Sequence, residues 1–242
     1  MSAVIIIPAR YASTRLPAKP LLKETGKFLI QHVVENVRNT PDISRVVVAT
    51  DDKRIFDAVE SFGADVVMTR ADHTSGTDRL AETASLLGLA DDDIVINVQG
   101  DEPNMPPAVI TVLLNLLKNC DAPMATLCTP LSPQAAADPN KVKVVFDQHN
   151  YALYFSRAKI PFDRDGHAAA EYFLHMGIYA YRVSFLKKFT SLPQTKLEKT
   201  EKLEQLRALE NGYRIRIAAV DYHGVGIDTP QDYAEFVASR RK

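Results

Sequence analysis

The chain has 242 residues, 46% of them hydrophobic and 24% charged, a balance that fits one large globular domain or two small ones and excludes a disordered chain. Its 29 lysines and arginines against 30 aspartates and glutamates give a formal charge of -1, so no global field exists to hold a nucleic acid backbone or an anionic membrane, and any anion must be bound locally. The two cysteines, Cys120 and Cys128, have neither zinc-ribbon nor redox-dithiol spacing and predict a reducing compartment.

The first apolar run, residues 4–7, predicts a strand. No basic leader or cleavage region precedes it, and the longest later apolar stretch, 108–117, is interrupted by Thr111 and Asn115, so neither an export signal nor a membrane span is expected. In 29–39, Leu29, Val33 and Val37 fall four apart on one helical face. The pattern repeats: a strand over 45–50, a helix over 52–62 ended by Gly63, a short strand over 65–68, a helix over 77–87 and an apolar strand over 94–98. A helix over 107–118 that opens on Pro107 and a strand over 125–131 complete the first part. Strands alternating with helices predict a parallel α/β sheet with right-handed crossovers.

After Leu131 the rhythm changes. Runs at 142–146 and 151–156 flank Asp147-Gln148-His149-Asn150, a turn-forming tetrapeptide, and predict a hairpin. Residues 172–182 read as a strand, 197–211 as one charged helix ended by Gly212, and 214–220 as a strand with one wet face. The last helix has a specified start: Thr229 suits the cap, Pro230 the first position and Asp232 the reciprocal capping carboxylate. The expected organisation is therefore a single α/β domain with a larger, mostly parallel part over about 1–131 and 220–242 and a smaller antiparallel part over about 132–219.

In open α/β sheets ligands lie beyond the carboxyl ends of the strands, and the loop after the first strand carries Arg10, Arg15, Lys19 and Lys23 with no acid before Glu24. Such a cluster in a neutral protein suits a polyanion, since arginine and lysine supply forked and point-charge donors for phosphate; a solvated basic loop is the bland alternative. The spacings of a Walker loop and of a G-x-G-x-x-G turn are both absent. After the strand at 94–98, Gly100 permits a sharp turn that would aim Asp101 into the same crevice. A carboxylate facing phosphates points to Mg²⁺, although a turn aspartate is commoner. Asp228 is either a helix-entry residue or the second metal ligand. Residues 73–79 read as a helix cap or a loop that contacts nucleotide.

Eight segments together carry a resemblance over essentially the whole chain: PARYxSTRLPxKPL from residue 8, ATDD from 49, HTSGTDR from 73, NVQGDEP from 97, YFSRAxIP from 154, HMGIYAYR from 175, LEQLRALENG from 203 and GIDTPQD from 226. In these the chain resembles the 3-deoxy-manno-octulosonate cytidylyltransferases. The resemblance implies a cytoplasmic, Mg²⁺-dependent homodimer of nucleotidyltransferase type, with a Rossmann-like, mostly parallel sheet and a smaller antiparallel substrate and dimerisation region. Its substrates would be CTP and the acid sugar 3-deoxy-manno-octulosonate (Kdo), and its products CMP-Kdo and pyrophosphate for lipopolysaccharide synthesis. Carried over by residue, Ala9, Arg10, Arg15, Lys19, Ser75, Arg79 and Asp101 would bind nucleotide. Asp101 and Asp228 would hold magnesium, with Arg10 and Lys19 beside them in the catalytic group. Gln99, Arg157, His175, Tyr179, Glu204 and Gln205 would meet the sugar acid. Two rivals stand beside this reading: the same chemistry on 8-amino-Kdo or a sialic acid, and a binding protein without catalysis.

Overall fold

The structure, a computed structural model, describes residues 1–12, 16–166, 170–222, 224 and 226–240. The chain divides into two compact units, Met1–Thr111 with the chain from Gly224 onward, and Val112–His223.

The sheet of the first unit is parallel. Strand β1 (Ala3–Ala9) pairs on one side with β2 (Arg45–Thr50), from Val4↔Arg45 to Ala9↔Thr50, and β2 pairs with β3 (Asp65–Met68). On its other side β1 pairs with β4 (Ile94–Asn97), from Ala3↔Ile94 to Ile6↔Asn97. Val4 to Ile7 are all buried, the continuous apolar run of a central parallel strand covered on both faces. Helix α1 (Leu29–Val37) buries Leu29, Ile30, Val33, Val34 and Val37, one stripe at helical spacing. Helix α2 (Lys53–Ser61) starts one residue later than the sequence suggests because Asp52 is its cap and accepts from the Arg54 N–H. Gly63, at φ 70°, follows its end. Helix α3 (Gly76–Leu86) opens on a reciprocal capping box between Ser75 and Asp78. Helix α4 (Pro107–Lys118) carries the chain out of this unit.

In the second unit β5 (Met124–Leu131) runs antiparallel to β8 (Tyr172–Arg182) and parallel to β9 (Ile215–Ala219). The hairpin of β6 (Lys143–Phe146) and β7 (Ala152–Ser156) forms where expected. Asp147 Oδ1 accepts the N–H groups of His149 at 2.9 Å and Tyr151 at 2.8 Å, and Asn150 takes a left-handed φ of 57°.

The two compact units part between Thr111 and Val112, ahead of β5, which is paired along both edges with strands of the second unit. Two features of the second unit depart from the sequence reading. Residues 183–191 form a helix, α5 (Val183–Ser191), that no turn signal separates from β8; it buries Val183, Phe185, Leu186 and Phe189. The single helix expected over 197–211 is two, α6 (Lys196–Glu201) and α7 (Leu206–Glu210), broken at Lys202 with φ 55°. Its charges are not all solvated: Arg207 Nη2 lies 2.5 Å from Glu198 Oε1, and both residues are buried. Among the aromatic side chains of this unit, Phe155 and Tyr172 are buried while Phe162 is exposed.

The closing helix α8 (Pro230–Arg240) belongs to the first unit, where Tyr233, Phe236 and Val237 pack with Leu16, Leu29 and Ile227.

Candidate active site

Three segments remote in sequence meet beyond the carboxyl end of β1. A left-handed residue, Ala18 at φ 54°, starts a 3-10 turn over Lys19–Leu21 that brings the Lys19 ammonium inward. Lys19 Nζ donates to Asp101 Oδ2 at 2.6 Å and to Asp228 Oδ1 at 3.1 Å. Asp101 reaches this point because Gly100 lets the β4 turn approach β1: a Cβ on Gly100 would lie 3.0 Å from the Pro8 carbonyl oxygen. Asp228 is placed by the start of α8. Asp232 Oδ2 accepts the N–H groups of Asp228 at 3.0 Å and Thr229 at 2.8 Å, while Thr229 Oγ1 accepts from the Asp232 N–H at 3.2 Å. The Ile227 N–H donates to the Asp101 carbonyl at 2.9 Å, tying the two aspartate loops together.

These residues border a cleft of about 510 Å³. Of the expected nucleotide contacts, Ala9, Arg10, Lys19, Ser75 and Asp101 line it, as do Asp228 and the expected sugar contact Gln99. Arg15 lies outside the described residues. Arg79 does not line the cleft: its side chain is fully buried, with Nη2 3.1 Å from Asp51 Oδ2 and Nη1 donating to the Thr69 hydroxyl. Pro8, Thr74 and Gly76 also line the cleft, without having been named as individual contacts. The cap reading of residues 73–79 had placed Thr74 and Gly76 beside Ser75, so their adjacency was the available signal.

The electrostatics suit an anion with a metal. Arg10 Nη2 donates to two carbonyls, His73 O at 2.6 Å and Ser75 O at 3.3 Å. Neutral carbonyls such as these bring no countercharge to it. Glu102, the turn residue beside Asp101, has its carboxyl pushed up to about 7 by burial and by the Asp101 charge. Asp101 and Asp228 are hard oxygen donors that converge on one cation, and no cluster of three or more metal-ligating side chains occurs among the described residues. Two carboxylates fit Mg²⁺, which completes its shell with phosphate oxygens and water and needs no all-protein cage.

The remaining sugar candidates lie in the second unit. His175 Nε2 is 3.1 Å from Thr126 Oγ1, and its ring stands edge-on to Phe155 and tilted against Tyr179. Burial pushes the imidazole down to about 3, and burial together with the Glu204 charge raises the Tyr179 phenol. Gln205 is 5% exposed, and its buried amide nitrogen has no hydrogen-bond partner among the described residues. Glu204 Oε1 lies 3.5 Å from Arg207 Nη2. Arg157 is spent on the backbone instead, donating from Nε to the Glu201 carbonyl at 2.7 Å and from Nη1 to the Pro139 carbonyl at 3.1 Å.

Residues 4–215 match the Cytidylyltransferase family. The chain is 54% identical over 236 residues to the 3-deoxy-manno-octulosonate cytidylyltransferase of Syntrophobacter fumaroxidans, covering 96% of this chain and 94% of that one. It is 50% identical over 237 residues to the 8-amino-3,8-dideoxy-manno-octulosonate cytidylyltransferase of Shewanella amazonensis, covering 96% of each. Among solved structures, a CMP:2-keto-3-deoxy-manno-octonic acid synthetase complexed with CTP matches with a TM-score of 0.94 at 45% identity, over 100% of this chain and 99% of that one. A 4-diphosphocytidyl-2C-methyl-D-erythritol synthase shares the fold at a TM-score of 0.67 and 14% identity, over 98% of this chain and 97% of that one. By its sequence and its fold, the chain belongs to the cytidylyltransferase family.

Proposed function

We propose that this protein transfers CMP from CTP to Kdo, releasing pyrophosphate and supplying CMP-Kdo for lipopolysaccharide synthesis. The observation that carries the reading is the Lys19 ammonium between Asp101 and Asp228 at the edge of a cleft that Arg10 also lines. A hydroxyl oxygen of the sugar attacks the α-phosphorus, the bond to the bridging oxygen breaks, and the hydroxyl proton leaves to solvent or to a carboxylate. Lys19 and Arg10 offset the charge that repels the attacking oxygen and that builds on pyrophosphate as it departs. Asp101 and Asp228 would hold Mg²⁺, which when bound supplies Lewis-acid neutralisation of phosphate charge. Positioning supplies much of the rest, and no covalent intermediate on the protein is required.

For the acceptor we assign Gln99, Arg157, His175, Tyr179, Glu204 and Gln205. A neutral His175 serves as a hydrogen-bond partner for a hydroxyl rather than as a cation for the carboxylate. Arg157 is the cation in this set, and its guanidinium must share its donors with the backbone. A second reading, 8-amino-Kdo as acceptor, is favoured by the 50% identity to a relative of that name.

Asp101→Asn tests the site directly, since it removes a charged ligand with little change of shape. Magnesium-dependent pyrophosphate release from CTP and Kdo is expected to fall by at least about 10²-fold, with the thermal unfolding midpoint close to that of the parent chain. Near-normal turnover with unchanged magnesium dependence would contradict the metal assignment.

A further inference from the structure

Arg10 is only as well aimed as the carbonyls that hold it. His73 O and Ser75 O lie in the loop between β3 and α3, and this loop is fastened at three places. At its start the Thr69 N–H donates to the Thr50 carbonyl at 2.8 Å. At its end Thr74 Oγ1 donates to Asp78 Oδ2 at 2.9 Å, beside the capping box of Ser75. Between them stands Glu82, four residues beyond Asp78 on the same face of α3. Its Oε2 accepts the Arg70 N–H at 3.0 Å and pairs with His73 Nε2. The His73 side chain is 7% exposed and that of Glu82 23%. Burial alone would raise the Glu82 carboxyl, but the hydrogen bonds from His73 and the Arg70 N–H hold it below its ordinary value, so it is charged at neutral pH.

We propose that Glu82 and His73 are positioning residues for Arg10: the pair fixes the loop in the one conformation whose carbonyls grip Nη2 and so hold the guanidinium over the nucleotide phosphates. Neither side chain lines the cleft. The inference rests on the nucleotide reading of that cleft, and it separates Glu82 from an ordinary helix carboxylate by making its effect run through Arg10.

The test is a double-mutant cycle on CTP affinity, measured by titration calorimetry without acceptor. Glu82→Ala is expected to weaken CTP binding about tenfold in the parent chain and less than about twofold in an Arg10→Ala background, because a misaimed cation costs affinity only while the cation is present. Glu82→Gln, which keeps an oxygen able to accept both donors, should recover most of the loss. His73→Ala supplies the same cycle should Glu82→Ala fail to fold. Equal weakening in both backgrounds, or unchanged affinity in the parent, would overturn the inference. A parent chain that binds no CTP would overturn the nucleotide reading instead.

Discussion

Neutral His175 has a defined tautomer because its neighbour has a single proton to give. Thr126 Oγ1 lies 2.7 Å from the Ile178 carbonyl and 3.2 Å from that of Met176, so it donates there and can only accept from the ring, which assigns the imidazole proton to Nε2. Burial lowers this group from 6.5 to about 3. Between those values the unfolded chain binds a proton that the folded chain refuses, so the stability His175 contributes is full above pH 6.5 and is lost as pH falls towards about 3. A His175→Gln variant should therefore show a shallower decline of stability with acid over that window in urea titrations. Identical slopes for the two chains would contradict a neutral buried histidine. Other residues show how far a sequence reaches at this scale. The basic loop and the Gly100-Asp101 turn were legible, because charge clustering and turn chemistry are local. Arg79 and Arg157 were not, because a guanidinium's partners are chosen by the tertiary fold; here they are Asp51 and Thr69 for Arg79, and the carbonyls of Pro139 and Glu201 for Arg157.

The first turn of α8 positions Asp228. Its reciprocal cap spends one carboxylate, Asp232, on the N–H groups of Asp228 and Thr229, so the side chain that fixes the helix start also fixes the backbone from which Asp228 projects. Asp232→Ala is expected to cost about 1 kcal/mol of stability, as lost caps do, and also to raise the magnesium concentration needed for half-maximal pyrophosphate release. A stability loss with unchanged magnesium requirement would confine Asp232 to capping. This start was readable because Thr-Pro-x-Asp is a cap signature written in consecutive residues. The break between α6 and α7 was not, since nothing in the charged run announces that Glu198 and Arg207 pair in the interior. Likewise β5 gave no sign that its partners would be the antiparallel β8 and the parallel β9, which begins at Ile215 only after α5, α6 and α7.

At the scale of the molecule, the alternation of strands and helices specified the parallel sheet of the first unit, while the boundary between units depended on pairings that no local pattern encodes. No helix among the described residues is long and apolar enough to cross a membrane. The second unit leaves Phe162 85% and Leu153 61% exposed, two large apolar side chains that a self-contact would cover. We expect a dimer by sedimentation equilibrium at micromolar concentration; a purely monomeric mass would contradict it. The acceptor decides the central claim. An unmatched buried donor or acceptor costs about 1 to 3 kcal/mol, so a few such losses separate an acid sugar from a neutral one by orders of magnitude. The decisive measurement supplies CTP and magnesium with equal concentrations of Kdo, 8-amino-Kdo, a sialic acid and a neutral sugar phosphate, and identifies the CMP-linked products by mass. CMP-Kdo as the dominant product is the predicted result; a dominant product from any of the other three, or no CMP-linked sugar at all, would contradict it.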